Sequence, residues 1–369
     1  MRNFFAGIAG RLFSNSFTPI SSVGHHNILY VRCRDAFEFK ICRTALLASV
    51  GFFSMFAGAA LADDSSAALG AGGLELTKSA DIRMAMEDLR ISPDDVRIRY
   101  EFVNDGPKDI DTIVAFPLPD IDSWNFYEEP IGKTTDDPVN FVGFKATADG
   151  KPIAVKVEQR AFLGDRDVTA LVTAAGAPVN VILAHNYEKL DKLPDAKKKM
   201  LERAGLAERD APDQEHPKWT VRTRFYWTQH FPAHKTVVIT HSYKPVTGQA
   251  FFSKYEVAAK PGSSDDAWKK PYCMDDKTIA AAGKMIEART AKDQNDGLLN
   301  AFSVDFILKT ANNWKGGIGR FHLTIDKRKP ESILSLCWDG DLRRTGATTF
   351  ESTRENFRPA ADLKFVVLE

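Results

Sequence analysis

The sequence predicts a mainly β protein of the antiparallel sandwich type, α+β overall through a helical insertion and one or two further helices. Three observations predict it. Apolar and polar side chains alternate at period two in several segments, the mark of a strand with one buried face. Turn residues such as Asn104-Asp105-Gly106-Pro107 and Asp149-Gly150 stand between those segments, where the chain reverses. Helical patterning is confined to short stretches near residues 195–204 and 276–291.

The elements begin only after a leader. From Thr44 to Ala62 there is no charged side chain, and Lys40 and Arg43 stand just before. The most apolar part, Ala45 to Phe56, has the length of a signal-peptide core, whereas a spanning helix needs about 20 strongly apolar residues. The run ends Ala60-Leu61-Ala62 and is followed at once by Asp63-Asp64, so signal cleavage after Ala62 is expected. An uncleaved anchor and a buried helix are the alternatives. Residues 1–39 show no clear period and read as a mis-assigned start, with translation beginning near Leu29 or Val31. Residues 1–62 are therefore set aside as presequence.

What remains is 307 residues with 43 basic and 47 acidic side chains, a net charge near −4. Nothing in that balance suggests nucleic acid or an anionic membrane surface as a partner. Cys33 and Cys42 leave with the presequence, so Cys273 and Cys337 remain. In an oxidising exported compartment a lone pair is read as one disulfide; two free buried thiols are the alternative. Closing a loop of about 64 residues restricts the unfolded chain by roughly 4 kcal/mol in the chain-entropy picture.

Residues 63–160 supply the first strands. Ile82, Met84 and Met86 alternate with Arg83, Ala85 and Glu87; Val96, Ile98, Tyr100 and Phe102 alternate with Arg97, Arg99 and Glu101. The Asn104–Pro107 turn then leads to a return strand through Ile113, Ala115 and Phe116, read as the second arm of a hairpin. Pro117 and Pro119 end it, having no N–H for a ladder bond. Phe141 to Gln159 gives two more strands around Asp149-Gly150.

Residues 161–217 read as a helical insertion over one end of the sheet. Asp195 to Ala204 is a short helix with Gly205 closing it, "AERDAPDQEHP" a solvated loop, and Lys197-Lys198-Lys199 a solvent face. Residues 218–369 return to strands and are expected to pack as one unit with 63–160. Val221, Thr223, Phe225 and Trp227 share a face, as do Val237, Ile239 and His241 after the "FPAHK" turn. A helix spans about 276–291 with Asp275 or Asp276 as its N-cap. "FSVDFILKTANNW", "GRFHLTIDK", "SILSLCWDG" and "LKFVVLE" supply the last strands.

Several of these segments carry a resemblance. "VRIRYEFVNDGPKDIDTIVAFPLPDI", "YWTQHFPAHKTVVITHSYKPVTG", "PYCMDD", "TANNWKGGIGRFHLTIDK" and "GATTFE" resemble, in order, the exported Gram-negative proteins of domain of unknown function 4424. The resemblance runs from about Ser65 to Glu369 and includes both cysteines. It implies a secreted or periplasmic protein and brings no catalytic residues with it. From Val96 to about Gln159 the chain is also similar to the opening of vault/inter-alpha-trypsin-type domains, β-sandwich modules with interaction roles.

Candidate chemistry is sparse. His230, His234 and His241 are the best metal candidates, since three imidazoles can hold zinc with an open position. The His230-x-x-x-His234 spacing suits a helix, yet Pro232 and the β-type flanks place it at a strand–turn–strand, so structural or surface histidines are expected and no metal is assigned. Asp339 and Asp341 ("WDGD") beside Cys337, with Asp275-Asp276 after Cys273, would come together if the disulfide forms. Paired carboxylates can run acid/base chemistry or bind calcium, but a turn and a helix cap explain them as well. There is no G-x-S-x-G elbow, no P-loop and no Rossmann spacing, and "GGIG" at Gly316–Gly319 reads as a loop. Trp124, Phe126 and Tyr127 ("PDIDSWNFYEEP") form a candidate binding loop, where aromatics can stack on sugars or anchor a partner.

These readings predict an exported, periplasmic, non-catalytic binding or envelope-interaction protein without a cofactor. Its partner would be a protein or glycan of the cell envelope, with no nucleic acid and no stable membrane insertion after signal cleavage. The rival reading is an envelope hydrolase or metal-dependent enzyme built from dispersed Asp and His residues.

Overall fold

The structure is a computed structural model describing residues 64–70, 73–124, 135–181, 183–211, 214–263, 266–292 and 297–369, all within one unit, Ala57–Glu369. Among the described residues the strands form four sheets. A seven-stranded sheet runs Arg166–Asp167, Lys156–Leu163, Thr220–Phe231, Ile110–Pro117, Ser65–Gly70 and Gly73–Thr77, with Ile121–Asp122 beside Thr220–Phe231. An eight-stranded sheet runs Arg343–Arg344, Thr349–Phe357, Ile318–Asp326, Ile82–Ile91, Val96–Asn104, Thr236–Tyr243, Lys145–Ala148 and Lys151–Pro152. Every pairing is antiparallel except Ile318–Asp326 with Ile82–Ile91. The fold is therefore mainly β and antiparallel, and α+β overall once the helices are included.

The two large sheets face each other across an aromatic interior. Phe116 of the seven-stranded sheet meets Tyr243 of the eight-stranded one with ring centroids 5.4 Å apart, and Phe225 stacks on Phe144 at 4.4 Å. Aromatic pairs of this kind add to the large area each ring removes from water. The third sheet, Thr247–Phe252, Leu299–Phe306, Leu363–Leu368 and Ile333–Leu336, is covered on both faces. Phe365 and Val367 join the main core, while Val366 and Leu368 pack under the helix Asp276–Thr290 with Ala282 and Ile286. Burial on both faces explains the unbroken apolar run at the C-terminus.

Asp275 is the N-cap of that helix, its Oδ1 accepting from Thr278 N–H at 2.8 Å. In the insertion, helices Thr169–Ala175, Ala184–Asp191 and Asp195–Arg203 lie in sequence. Gly205, at φ +70, lets the chain leave the last of them, with Leu206 N–H donating to Leu201 O at 2.9 Å.

Several expectations need correction. The Asn104–Pro107 turn does not close a hairpin: Val96–Asn104 lies in one large sheet and Ile110–Pro117 in the other, so the turn is an arch between layers. The "FPAHK" turn is a second such arch, from Thr220–Phe231 to Thr236–Tyr243. The segment read as a solvated loop is a hairpin, Ala207–Ala211 against Gln214–Pro217, in which Arg209 Nε sits 2.8 Å from the carboxylate of fully buried Glu215. Its charges pair across strands, which a count of polar residues cannot reveal. Lys198, expected at the surface, is buried, while its neighbour Lys197 donates to Ala174 O at 2.8 Å.

The alternation on Ile82–Ile91 also breaks. A bulge between Met84 and Met86 shifts the register, so Met86 is only half-buried and Glu87 turns into the interior at 0% exposure. A bulge sets two residues against one and re-aims the side chains beyond it. Gly319 permits it: a Cβ there would lie 2.6 Å from Ala85 O. The "GGIG" segment is thus partly strand, beginning at Ile318.

Candidate functional site

Alternation and register build a groove on the outer face of the eight-stranded sheet. On Val96–Asn104 the residues Val96, Ile98, Tyr100 and Phe102 turn inward, which leaves Arg97 and Arg99 outside. On Thr236–Tyr243, Val237, Ile239, His241 and Tyr243 turn inward, leaving Thr240 and Ser242 outside. Cross-strand pairing then aligns two rows. One runs Arg90, Arg97, Ser242, Lys145; the other runs Asp88, Arg99, Thr240, Thr147.

Over these rows lies an open cavity of about 550 Å³, a volume in the range of small-molecule sites. A second cavity of about 360 Å³ shares Arg90 and Arg97 and adds Ser92, Asp95 and Asp326. Peripheral carboxylates orient the arginines. Arg90 Nη2 is 3.2 Å from Asp326, Arg97 Nε 2.7 Å from Asp95, and Arg99 Nη2 2.7 Å from Glu101. Each contact occupies part of a five-donor guanidinium, and Arg99 Nη1 also lies 3.9 Å from Met86 Sδ. The Thr147 and Thr240 hydroxyls hydrogen-bond each other at 2.7 Å.

The three candidate histidines do not converge. His230 is half-exposed on the seven-stranded sheet, with Nδ1 2.8 Å from Asp111 Oδ1 and Nε2 3.6 Å from Asp109 Oδ2. His234 is exposed in the second arch at φ +56, its backbone N–H donating to Asn104 O at 2.9 Å. His241 is inside the sandwich, its side chain at 0% exposure and its Nε2 3.7 Å from Asp64 Oδ2, also at 0%. Rings of Tyr100, Phe116, Phe144 and Trp227 surround it at centroid distances of 4.9 to 5.4 Å. Burial pushes its imidazole down to about 3, because an imidazolium there would lose its hydration. Among the described residues no group of three or more His, Cys, Asp or Glu is placed to hold a metal ion.

Cys273 and Cys337 form a disulfide, with Cα atoms 5.1 Å apart. It borders a cavity of about 370 Å³ with Trp338, Asp339, Phe357 and Asp362. The bridge does not gather the nearby carboxylates. Asp275 caps its helix, and the hydrogen bonds from Thr278 hold its carboxyl below the usual range. Asp339 accepts from Arg354 Nη1 at 2.9 Å, and Asp341 faces Arg343 at 3.8 Å.

Of the aromatic loop, Trp124 is 39% exposed and lies against the insertion hairpin, with Lys218 Nζ 5.4 Å above its ring and His216 at 5.8 Å. Phe126 and Tyr127 lie outside the described residues, as do Ala60, Ala62 and Asp63. Of the other tryptophans, Trp219, Trp227 and Trp314 are buried, and Trp268 and Trp338 are half-buried.

Sequence reasoning missed two sets of residues. Arg97 and Arg99 were legible as outward-facing, but Arg90, Lys145 and Thr147 join them only through strand order. Glu87 was assigned outward because nothing in "IRMAMEDLRI" announces the bulge.

Solved structures offer distant likenesses. A Legionella pneumophila protein described as a proposed nutrient-binding protein shares 14% identity over 83% of this chain and 70% of that one, with a TM-score of 0.41. A Deinococcus radiodurans M1 zinc metallopeptidase shares 6% identity over 79% of this chain and 43% of that one, with a TM-score of 0.24. At these scores neither likeness extends to function. No curated protein matches the sequence. The family model described as Domain of unknown function (DUF4424) matches residues 62–366, most of the chain, and the chain belongs to that family.

Proposed function

We propose that this is an exported binding protein of the cell envelope whose ligand lies in the groove on the outer face of the eight-stranded sheet. The observation that carries the reading is the 550 Å³ cavity floored by two aligned rows of polar side chains. A floor of paired strands holds those side chains in fixed register, which lowers the ordering cost of binding. Export is supported by the Ala60-Leu61-Ala62 pattern before Asp63 and by the Cys273–Cys337 bridge, since disulfides persist in oxidising compartments. Binding is favoured over catalysis because His241 is sealed from solvent and His230 has both ring nitrogens beside aspartates.

Mass spectrometry on protein recovered from the periplasmic fraction tests both parts. The expected denatured mass is Asp63 to Glu369 less two hydrogens. Under native conditions a small molecule is expected to be retained by the wild type and lost from an Arg97→Gln/Arg99→Gln variant. A mass that includes residues before Asp63 refutes cleavage, and equal retention by both proteins refutes the groove as the site.

A further inference from the structure

We infer that the groove takes a hydroxyl-bearing ligand carrying an oxyanion, a phosphorylated saccharide or polyol. This rests on the reading that the groove is the binding site. Its lining contains four cations, Arg90, Arg97, Arg99 and Lys145, and one carboxylate, Asp88, in a chain that is net acidic beyond its presequence. The carboxylates that pair with the arginines stand outside this lining, Asp95 and Asp326 in the adjoining cavity and Glu101 further along its strand.

The register makes the arrangement specific. Arg90 lies directly opposite Arg97, a like-charge pair that weakens a sheet, and Lys145 stands two strands beyond in the same row. Across four strands such a row spans about 14 Å. Asp326 and Asp95 offset part of that repulsion from outside the lining. An oxyanion between the cations removes the rest, and the planar guanidinium matches its geometry with paired N–H donors. Ser242 lies between Arg97 and Lys145 in that row, and Thr240 and Thr147 follow Arg99 in the neighbouring one. Their hydroxyls both donate and accept, and so suit ligand hydroxyl groups.

The same chemistry occurs in a free sugar phosphate and in a glycerophospholipid headgroup, and the test separates them. Calorimetric titration of the exported protein uses glucose 6-phosphate, glucose, and phosphatidylcholine vesicles with or without phosphatidylglycerol. Arg97→Gln and Lys145→Gln are expected to weaken the anionic probe roughly ten- to a hundredfold, the loss of a charge-assisted hydrogen bond. Asp88→Asn is expected to tighten it several-fold, because it removes the one negative charge in the lining. A purely structural role would not produce opposite signs. All three side chains are at least partly exposed, and each variant is expected to keep the wild-type melting temperature. Glucose 6-phosphate binding that follows this pattern supports a soluble ligand, and phosphatidylglycerol vesicle binding that follows it supports a headgroup. Anion binding unchanged in Arg97→Gln and Lys145→Gln, or no anion binding, overturns the inference. Glucose bound in a variant-dependent way without any anion response overturns the oxyanion class and leaves the binding reading standing.

Discussion

Asn104 is fully buried where the two arches between the large sheets meet, and its amide serves both. Its Nδ2 donates to Lys108 O at 2.8 Å and to Phe231 O at 2.9 Å, while its Oδ1 accepts from Gly106 N–H at 2.9 Å. Removing the amide leaves these backbone groups without that partner, so Asn104→Ala is expected to cost about 2–4 kcal/mol; a lowered urea midpoint at unchanged slope checks it. His241 makes a second prediction at this scale. Its pKa falls from 6.5 to about 3 on folding, so the native state binds fewer protons than the unfolded chain between those values. The neutral form carries no penalty above pH 6.5, and stability falls as pH drops below it. Asp64, Glu87 and Tyr100 share this interior, so the quantity to measure is the difference between wild type and His241→Gln in unfolding free energy from pH 7 to 5. A flatter profile for the variant is the expected outcome.

Among the elements, the strand Ile82–Ile91 departs furthest from its local pattern. The bulge at Ala85 and the glycine facing it form one unit, since Gly319 accepts the displaced carbonyl only without a side chain. Gly319→Ala is expected to destabilise by about 1–3 kcal/mol, the usual cost of overpacking, with thermal unfolding as the measurement. The helix Asp276–Thr290 depends on a different device. It covers one face of the four-stranded sheet with few large side chains, and the disulfide at Cys273 ties the segment before it to Cys337, just past the strand Ile333–Leu336. The Cys273→Ser/Cys337→Ser double variant is expected to lose up to about 4 kcal/mol. Hydrogen exchange should show the loss of protection greatest across the helix.

For the whole molecule, the last strand matters more than its position at the chain end suggests. Leu363–Leu368 pairs with Leu299–Phe306 on one side and Ile333–Leu336 on the other. Its two faces contribute to two separate cores. Glu369 is held by Lys329 at 2.9 Å, and its backbone N–H donates to Asn300 O at 2.9 Å. Deleting residues 363–369 would expose two strand edges and open both cores. The truncated protein is expected to show no cooperative thermal transition and to aggregate, as differential scanning calorimetry and sedimentation would reveal. At the same scale the eight-stranded sheet separates its roles by face: the inner face packs the aromatic interior, and the outer face, free of that constraint, carries the groove.

The sequence by itself determined which residues face inward on most strands, because side-chain direction in a strand is a local matter with period two. Val96 to Phe102 and Val237 to His241 were legible for that reason; residue type and spacing made legible a cap at Asp275 or Asp276, the Gly205 exit and the Cys273–Cys337 pair. Tertiary structure decided which strands meet. An arch and a hairpin use the same turn residues, and whether Asn104–Pro107 joins neighbours in one sheet or partners in opposite layers depends on packing across the whole core. The bulge that buries Glu87 is a contact between distant segments, set by the backbone of Ile318–Asp326 rather than by anything within Ile82–Ile91. The groove has the same origin. Arg90, Arg97, Ser242 and Lys145 are scattered over more than 150 residues, and only strand order and register, fixed by burying the opposite face, bring them into one row.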